Sequence, residues 1–195
     1  NINDYQIDIL TINDNKIYPL EQVLKNKGIN IYKINSIWSK KGLNFIKYYC
    51  EAKSFFKNNH QYEVFHLHGT SKNYYLLKLA KKYNIKIRIT HSHSTDFASK
   101  NIIKRIIGNI LKYKLIKYST NLVACSNNAG NWLFNGHKFD VLNNGIDTEK
   151  YKFSNQKRND LRKKYNLEDK IVIGTVGRLT SQKNILFLVD VLKEL

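Results

Sequence analysis

Two short runs place imidazoles two residues apart: His66 and His68 in Phe65-His-Leu-His68-Gly69-Thr70, and His91 and His93 in Thr90-His-Ser-His93-Ser-Thr95. Residues i and i+2 of an extended strand share a face, so each run can present both rings to one partner. An imidazole changes charge near neutrality, donates or accepts a hydrogen bond, and ligates metals. Proton traffic, contact with a reacting oxygen and a metal site are therefore all open to these residues. No carboxylate directly flanks either pair, Asp96 lying three residues past His93, which weighs against a metal centre. His66 and His91 read as packing or hydrogen-bonding residues, whereas His68 and His93 stand at strand ends, where function concentrates.

A third constellation closes the apolar run Ile171-Val-Ile-Gly-Thr-Val176 with Gly177-Arg178, and Lys183 follows five positions on. Glycine lets backbone approach a ligand, and the N-terminus of a following helix offers unpaired N–H groups. The two cations add charge, and arginine adds planar bidentate geometry. Such a turn suits a phosphate or diphosphate. The sequence has no Asp-x-Asp pair, the pattern that would hold a diphosphate through a divalent cation, so charge here must come from side chains and helix dipoles.

The elements that must position these residues follow from periodicity. Alternation and β-branched content predict strands over 5–12, 29–34, 64–68, 85–90, 121–125, 139–142 and 171–176. Helical spacing predicts helices over 19–27, 44–58, 72–83, 100–118 and 127–134, and a basic helix follows from 156. Strands alternating with helices at this interval make a parallel, Rossmann-like α/β sheet. Ligands of such sheets bind beyond the C-terminal strand ends, so His68, Gly69, His93, Ser126 and Asn144 are expected along one rim. The predicted domains are 1–148, a connector over 149–170 carrying the basic helix, and the start of a second Rossmann-like domain over 171–195. Helix 100–118 carries a stripe of Ile102, Ile103, Ile106, Ile107, Ile110, Leu111 and Leu115, expected to face the core, with Lys104, Arg105, Lys112 and Lys114 around it.

Composition bounds the rest. A chain of 195 residues with 42% hydrophobic content buries a core, and suits one domain or little more. A formal net charge of +18 points to an anionic partner, although enrichment in lysine accounts for much of it. Cys50 and Cys125 are too few for a disulfide framework and are expected to be buried thiols in a reducing compartment. No apolar run approaches the roughly 18 residues of a spanning helix. The chain starts without Met and stops inside a helical pattern, so it reads as a piece cut at both ends, cytoplasmic and at most peripheral to a membrane.

Taken in order, Phe65 to Thr70, Thr90 to Thr95, Ala124-Cys-Ser-Asn-Asn-Ala-Gly-Asn-Trp-Leu-Phe134, Asn143-Asn-Gly-Ile-Asp147, the helix around Leu161, and Gly174-Thr-Val-Gly-Arg-Leu-Thr-Ser-Gln-Lys-Asn184 resemble glycosyltransferase family 4. The likeness is greatest to bacterial capsule and exopolysaccharide transferases of the GT-B fold. It implies a retaining hexosyl transfer from a nucleotide sugar to a polysaccharide or lipid-linked saccharide, with no cofactor beyond that co-substrate and no catalytic metal. It also implies His93 as the catalytic residue at the transfer centre, and His68, Gly69 and Asn144 on the acceptor side. Gly177, Arg178 and Lys183 would bind the donor diphosphate. Peripheral contact with an anionic inner membrane is expected, and nucleic acid is not. By the same likeness, the family's glycine-rich loop would precede Asn1 and its acidic donor-binding pair would follow Leu195, leaving this piece inactive alone. Two other readings stand beside it. One is a basic α/β nucleic-acid-binding module supported by 13 tyrosines, although its basic residues are scattered rather than clustered. The other is a metal hydrolase built on the H-x-H pairs.

Overall fold

The β-branched alternation of the first fifty residues produces β1 (Ile9–Asn13) and β2 (Ile31–Asn35), paired in parallel with Ile9 opposite Ile31 and Asn13 opposite Asn35. This computed structural model describes residues 5–13, 16–35, 38–39, 42–43, 45–97, 99, 101–180 and 183–194. The predicted helix starts at Asn44 and Lys100 lie outside those residues. Helix α1 (Pro19–Asn26) opens on a proline, tolerated there because a first-turn N–H has no intrahelical partner. It is followed by Gly28 at φ +78°, a conformation glycine adopts freely. A two-residue antiparallel pair, β3 (Trp38–Ser39) with β4 (Gly42–Leu43), precedes α2 (Phe45–Asn58).

Helix α2 buries Tyr48, Ala52 and Phe56, the i, i+4, i+8 line that helical geometry aligns on one face. Its Glu51 accepts a hydrogen bond from the Asn35 amide at 2.7 Å and so ties α2 to the end of β2. Cys50 points the other way and is exposed, and Cys125 is half-buried. The expectation of two buried thiols therefore fails, because the inward line of α2 passes through positions 48, 52 and 56 and not 50.

The main sheet is β5 (Val64–His68), β6 (Ile87–Ser92), β7 (Asn121–Ala124) and β8 (Asp140–Val141), in that spatial order and parallel throughout. A 3-10 turn at Ser71–Asn73 and then α3 (Tyr74–Lys82) connect β5 to β6. Helix α4 (Ile102–Tyr118) connects β6 to β7, and α5 (Asn127–Phe134) connects β7 to β8. The core gathers Leu67, Leu77, Leu79, Ala80, Ile85, Leu115, Ala124, Leu133 and Phe134 between strands and helices. Among the described residues the parallel strands fall into two ladders, β1–β2 and β5–β8, rather than one continuous sheet. The Tyr62 hydroxyl, just before β5, donates to Asp8 beside β1, and α2 bridges the two with Phe55 edge-on to Tyr32 of β2 at 5.0 Å and Phe56 edge-on to Phe65 of β5 at 5.1 Å.

Helix α4 keeps the expected facing only at its C-terminal end, where Leu115 is buried and Leu111 packs on the core. Its isoleucines at 102, 103, 106, 107 and 110 are exposed, and its buried residues are Gly108, Lys112 and Leu115. Along the inward line, close approach at Gly108 and polar satisfaction at Lys112 stand where the isoleucines were expected. A Cβ on Gly108 would stand 2.5 Å from the Phe97 ring. The Lys112 ammonium donates to the Trp132 carbonyl at 2.6 Å and sits 4.0 Å from the Trp132 ring centroid, the partners a buried cation requires. Burial pushes its pKa down, with Asp96 acting in the opposite direction.

The chain divides into two compact units, Asn1–Asn144 and Gly145–Leu195. In the second unit, α6 (Asn155–Lys164) starts at Ser154, whose hydroxyl accepts from the Lys157 amide at 3.3 Å. Arg162 donates to the carbonyls of Leu167 and Lys170 at 2.6 and 2.8 Å and folds the following turn onto the helix. The predicted strand at 171–176 is not formed: Ile171 is 94% and Val176 102% exposed. A strand is defined by its ladder partner, and the described residues of this unit contain no other strand to pair with it. Helix α7 (Ile185–Lys193) follows. No described helix is long and apolar enough to cross a membrane.

Candidate functional site

Register assembles what spacing alone left apart. Pairing of β5 with β6 sets His68 opposite His91, and the two-residue strand repeat brings His66 and His93 to the same face. The four rings form one stack. Centroids lie 4.2 Å apart for His66–His68, 5.0 Å for His68–His91 and 4.1 Å for His91–His93. The planes of His66 and His91 are nearly parallel, at 9°, with centroids 5.3 Å apart. His68 Nδ1 and His93 Nε2 are 2.8 Å apart, a hydrogen bond in which one ring donates and the other accepts.

His91 is only 4% exposed, and neither of its ring nitrogens has a hydrogen-bond partner of good geometry. Burial holds its pKa below the usual histidine value, as do the nearby His93 and His68, while the Leu142 backbone acts the other way. Burial also lowers His68, with His93 adding to it. His66 is exposed at its edge, yet desolvation in the stack and the charges of its three neighbours push it down to about 4. One ring nitrogen from each of His66, His68 and His91 falls within 4.8 Å of the others. Sequence reasoning set His66 and His91 aside as packing residues. The signal that joins them to the group was the repeated H-x-H at the ends of consecutive strands, which needs the inter-strand register to be interpreted.

Along the rest of this rim, Gly69 is required locally: a Cβ there would stand 2.9 Å from Asn73 Oδ1 and 3.3 Å from Leu67 Cδ1. Asn73 Oδ1 in turn accepts from the Thr70 amide at 3.0 Å, so the backbone after β5 is held against the start of the next helix. Ser126 caps α5 by accepting from the Ala129 amide at 3.3 Å. Asn144 is exposed two residues beyond Leu142, whose amide donates to the Ala124 carbonyl at 2.9 Å. Because β5 to β8 are parallel, His68, His93, Ser126 and Asn144 all follow C-terminal strand ends.

In the second unit a turn folds Lys183 back on Gly177. The Arg178 carbonyl accepts from the Thr180 amide at 2.8 Å, and the Thr180 carbonyl accepts from the Lys183 amide at 3.0 Å. A Cβ on Gly177 would lie 3.5 Å from Lys183 Cγ, so the lysine stem covers the glycine backbone. Lys183 directly precedes Asn184, the N-cap of α7, which sits at φ +45° and makes no side-chain cap. In the first turn of α7 the Phe187 amide donates to the Asn184 carbonyl at 3.1 Å, and the Lys183 ammonium stands just ahead of a helix N-terminus, an end that favours anions. Arg178 is exposed on the same turn.

A parallel sheet alternating with helices, with imidazoles at its C-terminal strand ends, defines a Rossmann-like α/β protein. The solved structures it is similar to include Anabaena Alr3699/HepE in complex with UDP, with a TM-score of 0.70 and 12% identity over 96% of this chain and 57% of that one. The same protein in complex with UDP-glucose also gives 0.70, at 14% identity over the same shares. At these identities the likeness is one of fold. The family model of Glycosyltransferase Family 4 matches residues 3–150, and the chain belongs to that family. It is also 25% identical over 190 residues to EpsF of Bacillus subtilis (strain 168), a glycosyltransferase by name, covering 94% of this chain and 48% of the relative. The chain thus spans about half the length of the relatives it matches.

Proposed function

We propose that this chain is the acceptor-side part, with the beginning of the donor side, of an enzyme that transfers a hexosyl unit from a nucleotide sugar to a polysaccharide or lipid-linked saccharide. The observation that carries the reading is the hydrogen-bonded His68–His93 pair at the C-terminal rim of a family 4 sheet. The UDP and UDP-glucose complexes of the fold neighbour support a nucleotide sugar as donor. The name of the B. subtilis relative supports the activity, and the family likeness supports capsule or exopolysaccharide synthesis with retention of configuration.

In this mechanism His93 is the catalytic residue, its ring oriented by His68 so that it can offer a hydrogen bond to a reacting oxygen. Gly69 and Asn144 line the acceptor side. As the bond from sugar to phosphate breaks, negative charge grows on the leaving diphosphate. Arg178 and Lys183 stabilise that charge more than they stabilise the ground state, and Gly177 belongs to the turn that carries them. No divalent cation is assigned to the diphosphate.

The test is transfer by the intact protein, followed by mass spectrometry, with UDP-glucose and other nucleotide sugars offered alongside a saccharide acceptor. Arg178→Ala is expected to lower turnover at saturating donor by about 10²–10³-fold, the usual effect of removing one group that stabilises transition-state charge. An unchanged rate at saturating donor overturns that role. Absence of transfer from any nucleotide sugar, together with steeply salt-dependent oligonucleotide binding, would instead favour a nucleic-acid module.

A further inference from the structure

We propose that His66, His68 and His91 form a binding site for one divalent transition-metal ion of the zinc class, a ligand that the transferase reading does not call for. Three observations carry it. One ring nitrogen from each residue lies within 4.8 Å of the other two. Neither ring nitrogen of the buried His91 has a hydrogen-bond partner of good geometry, the Leu142 backbone being the nearest candidate for one of them, and a native structure rarely leaves such atoms without a partner. His68 has its Nδ1 engaged by His93 at 2.8 Å, which leaves Nε2 for an ion and orients the ring. Metal-bound histidines habitually donate their other ring N–H to an outer acceptor that orients the ring, and here the His93 ring would be that acceptor.

The donor set names the ion class. Three imidazoles and no carboxylate suit Zn2+, Co2+ or Ni2+ and disfavour the hard, oxygen-seeking Mg2+ and Ca2+. Bonds of about 2.0–2.1 Å in a tetrahedral arrangement bring ligand nitrogens to about 3.4 Å from one another. The group must therefore contract from its present span. The two rings that would move, His66 and His68, are exposed, while His91 is fixed by burial. The fourth position would remain open at the rim, and His93 would stay outside the coordination shell as the partner of His68.

The site shares His68, and through it His93, with the proposed transfer centre but involves none of Gly177, Arg178 and Lys183, and metal binding can be read whether or not the chain transfers sugars. Its test accordingly reads metal and not transfer. Untagged protein, freed of metal with a chelator, is titrated with Co2+ while the visible d–d absorption is followed, and Zn2+ is then used to displace the cobalt. The expected result is saturation at one ion per chain with a tetrahedral-type spectrum. His66→Gln and His68→Gln, both at exposed positions, should each weaken Zn2+ binding at least about tenfold, and His93→Gln should weaken it while keeping the spectrum. The double variant His60→Gln with His137→Gln, which alters the two histidines outside the stack, should bind as the wild type does. Circular dichroism of each variant separates lost ligation from lost fold. The proposal is overturned if no saturable one-to-one binding of Co2+ or Zn2+ occurs. Equal affinity of wild type and folded His66→Gln overturns it as well, as does loss of binding only in the His60/His137 double variant.

Discussion

A single methyl group tests how closely the residues of this sheet and its helices approach. A Cβ built on Gly130 in α5 would lie 2.2 Å from two carbons of the Phe139 ring. That ring is itself packed on Phe134, at 5.6 Å between centroids. Phe139 cannot swing away without opening the core, so Gly130→Ala should destabilise the fold by about 1–3 kcal/mol, the usual cost of overpacking. The midpoint of urea unfolding measures it, and adding Phe139→Leu should recover part of the loss because the two sites are coupled. A neutral Gly130→Ala would mean that α5 does not lie on that ring. Gly69 is of the same kind, held by Asn73 and Leu67. A glycine expected from family likeness to line a substrate site therefore also has a packing reason to be there.

At the scale of elements, a tyrosine and a carboxylate join the two ladders and make their union sensitive to pH. Tyr62, just before β5, donates to Asp8, just before β1. Burial alone would raise Asp8, but hydrogen bonds from Tyr62 and Asn30 outweigh it and hold the carboxyl below its ordinary pKa. Burial and then Asp8 raise Tyr62 well above the usual tyrosine value. A carboxyl lowered in the fold stabilises it at pH values above about 3.9, the unfolded pKa, and ceases to do so as pH falls. A phenol raised in the fold stabilises it below about 10 and loses that contribution as pH rises, because the unfolded chain gives up the proton first. The advantage of wild type over Tyr62→Phe in chemical unfolding should therefore hold up to about pH 9.5 and shrink from about pH 10 to 11.5. A constant difference across that range would remove the pair as the cause.

Helix and strand types were legible at this scale because they depend on local periodicity. Strand Val64–His68 and helix Asn127–Phe134 fall where alternation and helical spacing put them. The facing of α4 was legible only at its C-terminal end. The five isoleucines of the expected stripe point outward although Leu111 and Leu115 of the same stripe meet the core, and the inward line also runs through Gly108 and Lys112, whose partners Phe97 and Trp132 come from other segments. Hydropathy counts side chains one at a time and has no access to such partners.

For the molecule as a whole, a formal charge of +18 combines with the exposed isoleucines of α4. Apolar side chains on a lysine-bearing helix are the means by which a helix lies on an anionic bilayer, and an acceptor carried on lipid would be met there. We expect the intact protein to float with liposomes containing anionic lipid at low salt and to release as salt screens the charge. Ile106→Asp together with Ile110→Asp should abolish flotation without unfolding the chain, since both positions are exposed. Failure of the wild type to float at low salt would end the idea. The paired isoleucines were visible in the sequence, but their exposure became evident only once α4 was seen packed by its other face.

The amino-acid order was sufficient for whatever depends on neighbours along the chain: alternating strands and helices, hence a parallel α/β fold; imidazoles spaced to share a strand face; and a glycine, an arginine and a lysine around one turn. Family membership followed from the same local motifs in the same order. Whatever depends on neighbours across space had to wait for the fold. The register that sets His68 against His91 turned two pairs into one stack of four rings. The lack of a ladder partner among the described residues left Ile171 to Val176 without strand structure. Packing against Phe97 and Trp132 chose the buried face of α4. Each of these is a pairing between distant residues, and its energy exists only when both partners are in place.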